Sequence, residues 1–149
     1  MTILEAIEAA NEEAGIRTLS FAQLQEFNSF LDSFTFEEYP IHVMVPFTIS
    51  GNLIQEERTV KQTLALSGWV LTRISEDTND FRSRQVEIDY TAPMRLLAKK
   101  FLLSLRSQDI VDPEVSSIPY TIRPEYQLFH AHLFGCSYTI NLPIISRVC

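Results

Sequence analysis

Two histidines near the C-terminus have a spacing that would suit a metal site. His130 and His132 are two residues apart in an apolar segment with strand character, and alternate residues of a strand project from the same face. A closed zinc site needs four ligands, so His42, Cys136 or a distant carboxylate would have to complete it. No charged residue lies between positions 126 and 146. We therefore expect structural or interface histidines and predict no metal site.

Cys136 is the residue whose chemistry would suit a thiol enzyme, with His130 or His132 as the base. A catalytic thiol also needs an oriented base and an oxyanion hole, which usually lie at a helix N-terminus or a strained loop. A cysteine in the middle of a strand has neither, so we expect it to be buried in the core. The sequence predicts no catalytic residue and no cofactor. A small metal-dependent or thiol enzyme using these three residues is kept as an alternative function.

The composition is typical of one folded domain, and its charge is unevenly distributed. The chain has 149 residues, of which 46% are hydrophobic, and we predict a single domain over 1–149. The net charge of −7 comes from residues 1–38, where eight acidic residues face one arginine, while the remainder has eleven of each sign. DNA-binding proteins normally present a basic face, so specific DNA binding is disfavoured. An acidic surface suits DNA that slides past without attachment.

The cysteine content and the N-terminus favour a reducing compartment. Cys136 and Cys149 are the two cysteines, and they have neither the spacing of a metal knuckle nor the density of a disulfide scaffold. The N-terminal segment has acidic residues where a signal peptide needs basic ones. No apolar stretch of about 18 residues is present, so we expect no membrane association.

Two amphipathic helices are predicted in the acidic region 1–38. Thr2 and Glu5 have capping-box spacing, and the first helix should end at Gly15. A second capping box precedes an apolar stripe with helical spacing, which predicts a second helix docked on a sheet. The stripe consists of Phe21, Leu24, Phe27, Leu31 and Phe34.

The segments 39–49 and 58–74 read as strands because their apolar residues alternate. In the first, we expect all the odd-numbered apolar residues from Ile41 to Ile49 on one side, and Pro46 indicates an edge position or a bulge. The second is long enough to extend past a small domain. Together they predict a long extended hairpin over 50–75.

The C-terminal half should hold one helix and two further strands. The helix ends near Gln108 and has Pro93 in its first turn, and Lys99, Lys100 and Arg106 are expected to form a solvated basic edge. The strands read as 118–125 and 127–145, with a break at Arg123–Pro124. The body 39–149 is thus strand, strand, helix, strand, strand. We predict an α+β fold, with a mostly antiparallel sheet on which the N-terminal helices and the middle helix pack.

This order of elements resembles the tail-terminator and head-to-tail joining proteins of tailed bacteriophages. The resemblance covers nearly the whole chain and lies in a helical N-terminus, a first strand opening with EYPIHV, the long strand TVKQTLALSGWVLTRI, the helix MRLLAKKFLLSL and the closing segment LFHAHLFGCSYTINLPI. It implies a non-catalytic structural protein of the virion, assembled in the host cytoplasm. The expected partners are identical subunits in a ring of six or a multiple of six, neighbouring connector or tail proteins, and DNA passing through the channel without specific binding.

A ring subunit needs surfaces that meet a neighbouring copy, and the long strand and the C-terminal strand are the predicted ones. The expected interface residues are large apolar side chains on these strands: Val60, Leu64, Leu66, Trp69, Leu71, Phe129, Leu133 and Tyr138. A second alternative function is a cytoplasmic adaptor that binds one partner by strand addition. Stoichiometry would separate the adaptor from a closed ring.

Overall fold

A computed structural model provides the architecture of the chain. It describes residues 2–19, 40–53, 59–73, 87–128 and 133–147. The helix predicted over 20–34 lies outside the described residues.

The described residues form two α-helices and six strands. In chain order the elements are α1 (Ile3–Ala14), β1 (Arg17–Leu19), β2 (Ile41–Met44), β3 (Thr48–Gly51), β4 (Thr59–Arg73), a π-helical turn (Glu87–Thr91), α2 (Ala92–Arg106), β5 (Tyr120–Leu128) and β6 (Leu133–Arg147). The predicted α+β fold with a mostly antiparallel sheet is confirmed.

The first helix begins and ends where the sequence predicts. The Thr2 hydroxyl accepts a hydrogen bond from the Glu5 backbone N–H, and the Glu5 carboxylate accepts one from the Thr2 N–H. Both bonds use donors that the first helical turn leaves unpaired. Gly15 ends the helix in the left-handed region at φ 71°, a conformation that a Cβ disfavours.

The second helix follows the π-helical turn directly and carries Pro93 in its first turn, as predicted. It ends at Arg106, two residues before the predicted Gln108, and the Arg106 guanidinium donates to the Ser116 carbonyl oxygen. The inward side consists of Met94, Ala98, Phe101, Leu102 and Leu105. Within the described ranges, neither helix combines the length and the hydropathy needed to cross a bilayer.

The sheet has the strand order β1-β2-β4-β6-β5, with β3 also paired to β4. Among the described strands, only the β1–β2 pair is parallel. The strands β4 and β6 pair antiparallel over all fifteen residues, which at about 3.4 Å per residue is roughly 50 Å. The long strand is therefore confirmed, but the long hairpin is not, because β3 pairs with β4 at only four positions.

The segment 39–49 is not one continuous strand, so its predicted one-sided pattern is wrong. Ile41 pairs with Leu71 and Val43 with Trp69, whereas Ile49 pairs with Leu64. The pairing register with β4 shifts by one residue across 45–47, a segment that contains Pro46. A bulge of one residue turns every later side chain of the strand to the opposite face of the sheet. Val43 and Ile49 consequently lie on opposite faces of the sheet. The bulge predicted from Pro46 is thus present.

The predicted break at Arg123–Pro124 is also in the wrong place. The strand β5 continues through Pro124, which pairs with Cys136, and the register shifts only between Glu125 and Leu128. Pro124 is tolerated because β5 is the last strand of the described sheet, where a missing N–H need not break a ladder bond.

Both helices pack on the same face of the sheet. Even-numbered residues of β4 and β6 point to this face and pack with the inward sides of α1 and α2 in one apolar cluster. The predicted common face of Leu64, Leu66 and Val70 is confirmed, since all three belong to that cluster. The opposite face of β4 and β6 carries smaller and more polar side chains along its middle, including Ser67, Thr139 and others that are partly or fully exposed.

Candidate functional site

A chain of three polar side chains lies in the interior, between the helices and the sheet. The Asn11 Oδ1 of α1 is 2.6 Å from the His42 Nδ1 of β2, and the His42 Nε2 is 2.6 Å from the Tyr138 hydroxyl of β6. All three residues are at most 2% exposed. The sequence analysis did not place these residues together, because they come from three distant parts of the chain.

Strand register brings the histidine and the tyrosine to the helix side of the sheet. His42 pairs with Val70, and Gly68 of β4 pairs with Tyr138. A Cβ on Gly68 would lie 3.0 Å from the Tyr138 hydroxyl and 2.4 Å from the Val43 carbonyl oxygen. The missing side chain of Gly68 therefore makes the space in which the tyrosine lies.

Burial keeps this chain of side chains neutral. Desolvation lowers the pKa of His42 from 6.5 to about 3 and, with a smaller contribution from Cys136, raises the pKa of Tyr138 above its usual range. A neutral imidazole has one N–H and one lone-pair nitrogen. Nδ1–H therefore donates to the Asn11 Oδ1, and Nε2 accepts from the Tyr138 O–H.

The aromatic ring of Phe101 connects α2 to the same group. Its centroid lies 4.5 Å from that of His42, edge to face at 64°, and 5.8 Å from that of Tyr138. Offset and edge-on ring pairs contribute beyond the area they bury. The three polar residues and Phe101 thus join both helices to the centre of the sheet, and we call them the buried polar cluster.

One signal of the buried polar cluster was present in the sequence. Asn11 lies on the inward side of α1, beside Ile7, Ala10 and Ala14. A polar residue on an apolar helix side needs a buried partner, because an unpaired amide costs about 1–3 kcal/mol there. In the described residues the Asn11 Nδ2 has no partner, so the amide is bound through its oxygen alone.

Cys136 is buried in the core, as predicted. Its Sγ lies 3.5 Å from the Met94 carbonyl oxygen, and burial raises the pKa of the thiol to about 12. A thiol with this pKa stays protonated near neutral pH and is a poor nucleophile. The bases considered for it, His130 and His132, lie outside the described residues.

The suggestion that His42 might complete a zinc site does not fit its surroundings. Both of its ring nitrogens are already hydrogen-bonded within the protein, so a metal would have to displace Asn11 or Tyr138. Within the ranges that the structure describes, no three histidine, cysteine or acidic side chains are grouped as metal ligands would be.

Most of the predicted interface side chains lie inside the chain's own fold. The fully buried ones contribute to its interior and offer no surface to a neighbouring copy: Leu64, Leu66, Leu71, Leu133 and Tyr138. Alternation along a strand predicts a common face, but whether the same chain covers that face depends on its helices. Trp69 is half-buried, on the face away from the helices. Phe129 and the side chain of Val60 lie outside what the structure describes.

The outer side of α2 carries an exposed apolar surface that the sequence patterns did not predict. Leu96 is 71% and Leu103 58% exposed, and they lie seven residues apart, which is two helical turns. Lys99 and Lys100 lie beside them and are exposed, as predicted for the basic edge. Together with Pro93 and Leu97 these residues line an open groove of about 570 Å³.

No protein-family model and no curated protein matches this sequence. Function therefore has to be argued from the geometry of the molecule.

Proposed function

We propose that this protein is a structural subunit that assembles with identical copies into a ring, of the tail-terminator or head-to-tail joining kind, in the virion of a tailed bacteriophage. The observation that carries the proposal is the pair of exposed leucines, Leu96 and Leu103, on the outer side of α2. Contiguous apolar surface on a folded protein marks an interaction site. The ring and the virion follow from the resemblance in element order.

The reactive groups of the described chain support a role in contact rather than in chemistry. His42, Tyr138 and Cys136 are buried, and desolvation moves the pKa of each further from pH 7, in the direction that favours its neutral form. General acid–base and thiolate catalysis use groups whose protonation changes near the working pH. These three instead stabilise the packing of the helices on the sheet.

The sheet edge at β5 favours contact through side chains over strand addition. The strand β5 contains Pro124, which lacks the N–H that an added strand would bind. Where β6 extends beyond its pairing with β5, its edge is hydrogen-bonded to the loop 110–112. The Asp112 N–H donates to the Pro143 carbonyl oxygen, and the Ile145 N–H donates to the Ile110 carbonyl oxygen. These features disfavour the alternative adaptor that binds a partner by extending this edge.

The acidic charge of the chain supports the passage of DNA without attachment. The net charge is −7, and the whole excess of acidic residues lies in residues 1–38. A surface of this sign repels the phosphate backbone. We therefore propose that DNA is a passing neighbour and that other connector or tail proteins are the remaining partners.

The test is the mass and shape of the purified full-length chain. Light scattering and native mass spectrometry over a concentration series in low salt should show one closed oligomer, of six copies or a multiple of six. Negative-stain images should show rings. A monomer at every concentration would refute the proposal, and a one-to-one complex with a single captured protein would support the adaptor instead.

A further inference from the structure

We infer that the copies meet head to tail, with the acidic outer side of α1 in one copy docked on the basic, leucine-bearing outer side of α2 in the next. This inference rests on the proposed ring and names its contact.

The acidic face consists of Glu5, Glu8 and Glu12, with Leu4 at its border. Spacings of three and four residues place these side chains on one side of a helix, and all four are exposed. The helix α1 contains no lysine or arginine. Within the described ranges the carboxylates of Glu8 and Glu12 have no hydrogen-bond or ion-pair partner, and both side chains are exposed.

The basic face consists of Lys99, Lys100 and Arg106 around Leu96 and Leu103. The helix α2 contains no acidic residue, and all five of these side chains are exposed. In the described part of the chain neither lysine has an ion-pair partner. Apolar side chains surrounded by charges of one sign are typical of a protein–protein interface. The apolar centre excludes water, and the charges at the rim orient the partner.

The two faces cannot meet within one molecule. The helices pack side by side, with Ser104 of α2 donating a hydrogen bond to the Glu13 carboxylate of α1, and both bury their inward sides on the sheet. The acidic and basic faces both turn away from the sheet. Among the described residues nothing in the same copy brings one face onto the other, so a second copy is the partner assigned here.

Because the proposed assembly is a ring, this contact is heterologous: each copy presents its acidic face to one neighbour and its basic face to the other. Repeated contacts of this kind close into a ring when the rotation allows. A nucleic acid is the less suitable occupant of the basic face. The acidic face on the neighbouring helix and the net charge of −7 both repel phosphate.

The experiment is a charge swap in the full-length chain. One variant carries Glu8→Lys with Glu12→Lys, and the other carries Lys99→Glu with Lys100→Glu. Either variant by itself has like charges in every contact between copies. The apparent dissociation constant of its assembly should therefore rise at least about tenfold. An equimolar mixture should recover the wild-type mass with alternating copies, because every contact again joins unlike charges.

A matched control changes the same net charge on the other face of the sheet. Lys61 and Arg123 are exposed there, and the variant Lys61→Glu with Arg123→Glu should assemble as the wild type does. A second pair of variants, which leaves the charge unchanged, tests the apolar centre of the contact. Leu96→Ser with Leu103→Ser should weaken assembly. Leu53→Ser, at a fully exposed leucine elsewhere on the surface, should not. Circular dichroism melting curves establish that every variant is folded.

The outcomes separate this inference from the proposed function. If the wild type forms rings and both charge variants still do so alone, the ring stands and the contact assigned here is wrong. Folded variants that dissociate but do not recover on mixing also refute head-to-tail pairing. A monomeric wild type refutes both proposals. If the Lys99→Glu, Lys100→Glu variant of that monomer also melts at a lower temperature, the partner of the basic face lies within the same chain.

Discussion

The inner and outer sides of the helix layer are built from different chemistry. The inner side is apolar, except for the neutral chain from Asn11 through His42 to Tyr138. The outer side carries separated charges, negative on α1 and positive on α2, around two exposed leucines. From this difference we expect the inner residues to determine the stability of one copy and, in the proposed assembly, the outer residues to determine how copies associate. Each prediction below tests that division.

The largest effect is expected at Phe101, the ring that connects α2 with the buried polar cluster. Phe101→Ala removes a fully buried aromatic side chain and should lower the free energy of unfolding by about 3–5 kcal/mol. Leu103→Ala on the outer side of the same helix should change it by less than about 0.5 kcal/mol. Both are measured by urea unfolding in about 1 M NaCl, which screens charge pairs between copies. Equal losses at the two positions would contradict the division.

Acid should destabilise the protein through His42. Its folded pKa of about 3 lies below the unfolded value of 6.5, so between these pH values the unfolded state binds a proton that the folded state rejects. Stability from this residue is complete above pH 6.5 and falls by about 1.4 kcal/mol per unit as the pH drops toward 3. Unfolding measured from pH 7 to 4 should show a steeper decline for the wild type than for His42→Gln. Parallel curves would show that the imidazole is not held neutral.

The hydroxyl of Tyr138 should contribute less than the whole ring of Phe101. Tyr138→Phe leaves the buried His42 Nε2 without its donor, and the expected loss is about 1–3 kcal/mol in the free energy of unfolding. The control Tyr120→Phe also removes a tyrosine hydroxyl, but on β5, where the side chain is 46% exposed. That control should be nearly neutral in urea unfolding. A neutral Tyr138→Phe would mean that the hydrogen bond adds no net stability.

The smallest effect is expected at the start of α1. Thr2→Ala removes the oxygen that accepts from the Glu5 N–H and should cost about 1 kcal/mol. Thr2→Ser keeps that oxygen and should behave nearly as the wild type in thermal melts. If the two substitutions are indistinguishable, the capping box contributes nothing in the folded chain.

Some of the fold was predictable because its signals act over a few residues. The capping box at Thr2 and Glu5, the stop at Gly15 and the bulge at Pro46 each depend on neighbours in the sequence, and all three are confirmed. The face shared by Leu64 and Leu66 also follows from alternation. Alternation does not reveal the pairing partner: β4 pairs along its whole length with β6 and at only four positions with its sequence neighbour β3.

The candidate site was harder to predict, and Tyr138 shows why. Its strand position suggested an interface residue, and the histidine at 42 suggested a possible metal ligand. In the structure they are hydrogen-bonded to each other across 96 positions of sequence. No local pattern carries such a pairing, because it depends on the strand order and on the space left by Gly68.

The sequence by itself determined where α1 begins and ends, and that the excess acid lies in residues 1–38. These are consequences of backbone geometry, local hydrogen bonds and composition. Only the tertiary structure decided which apolar side chains are covered, that His42 is neutral, and that Leu96 and Leu103 face outward beside lysines. Burial and proximity arise when distant segments pack together, and the energies of ionisation and contact follow from them.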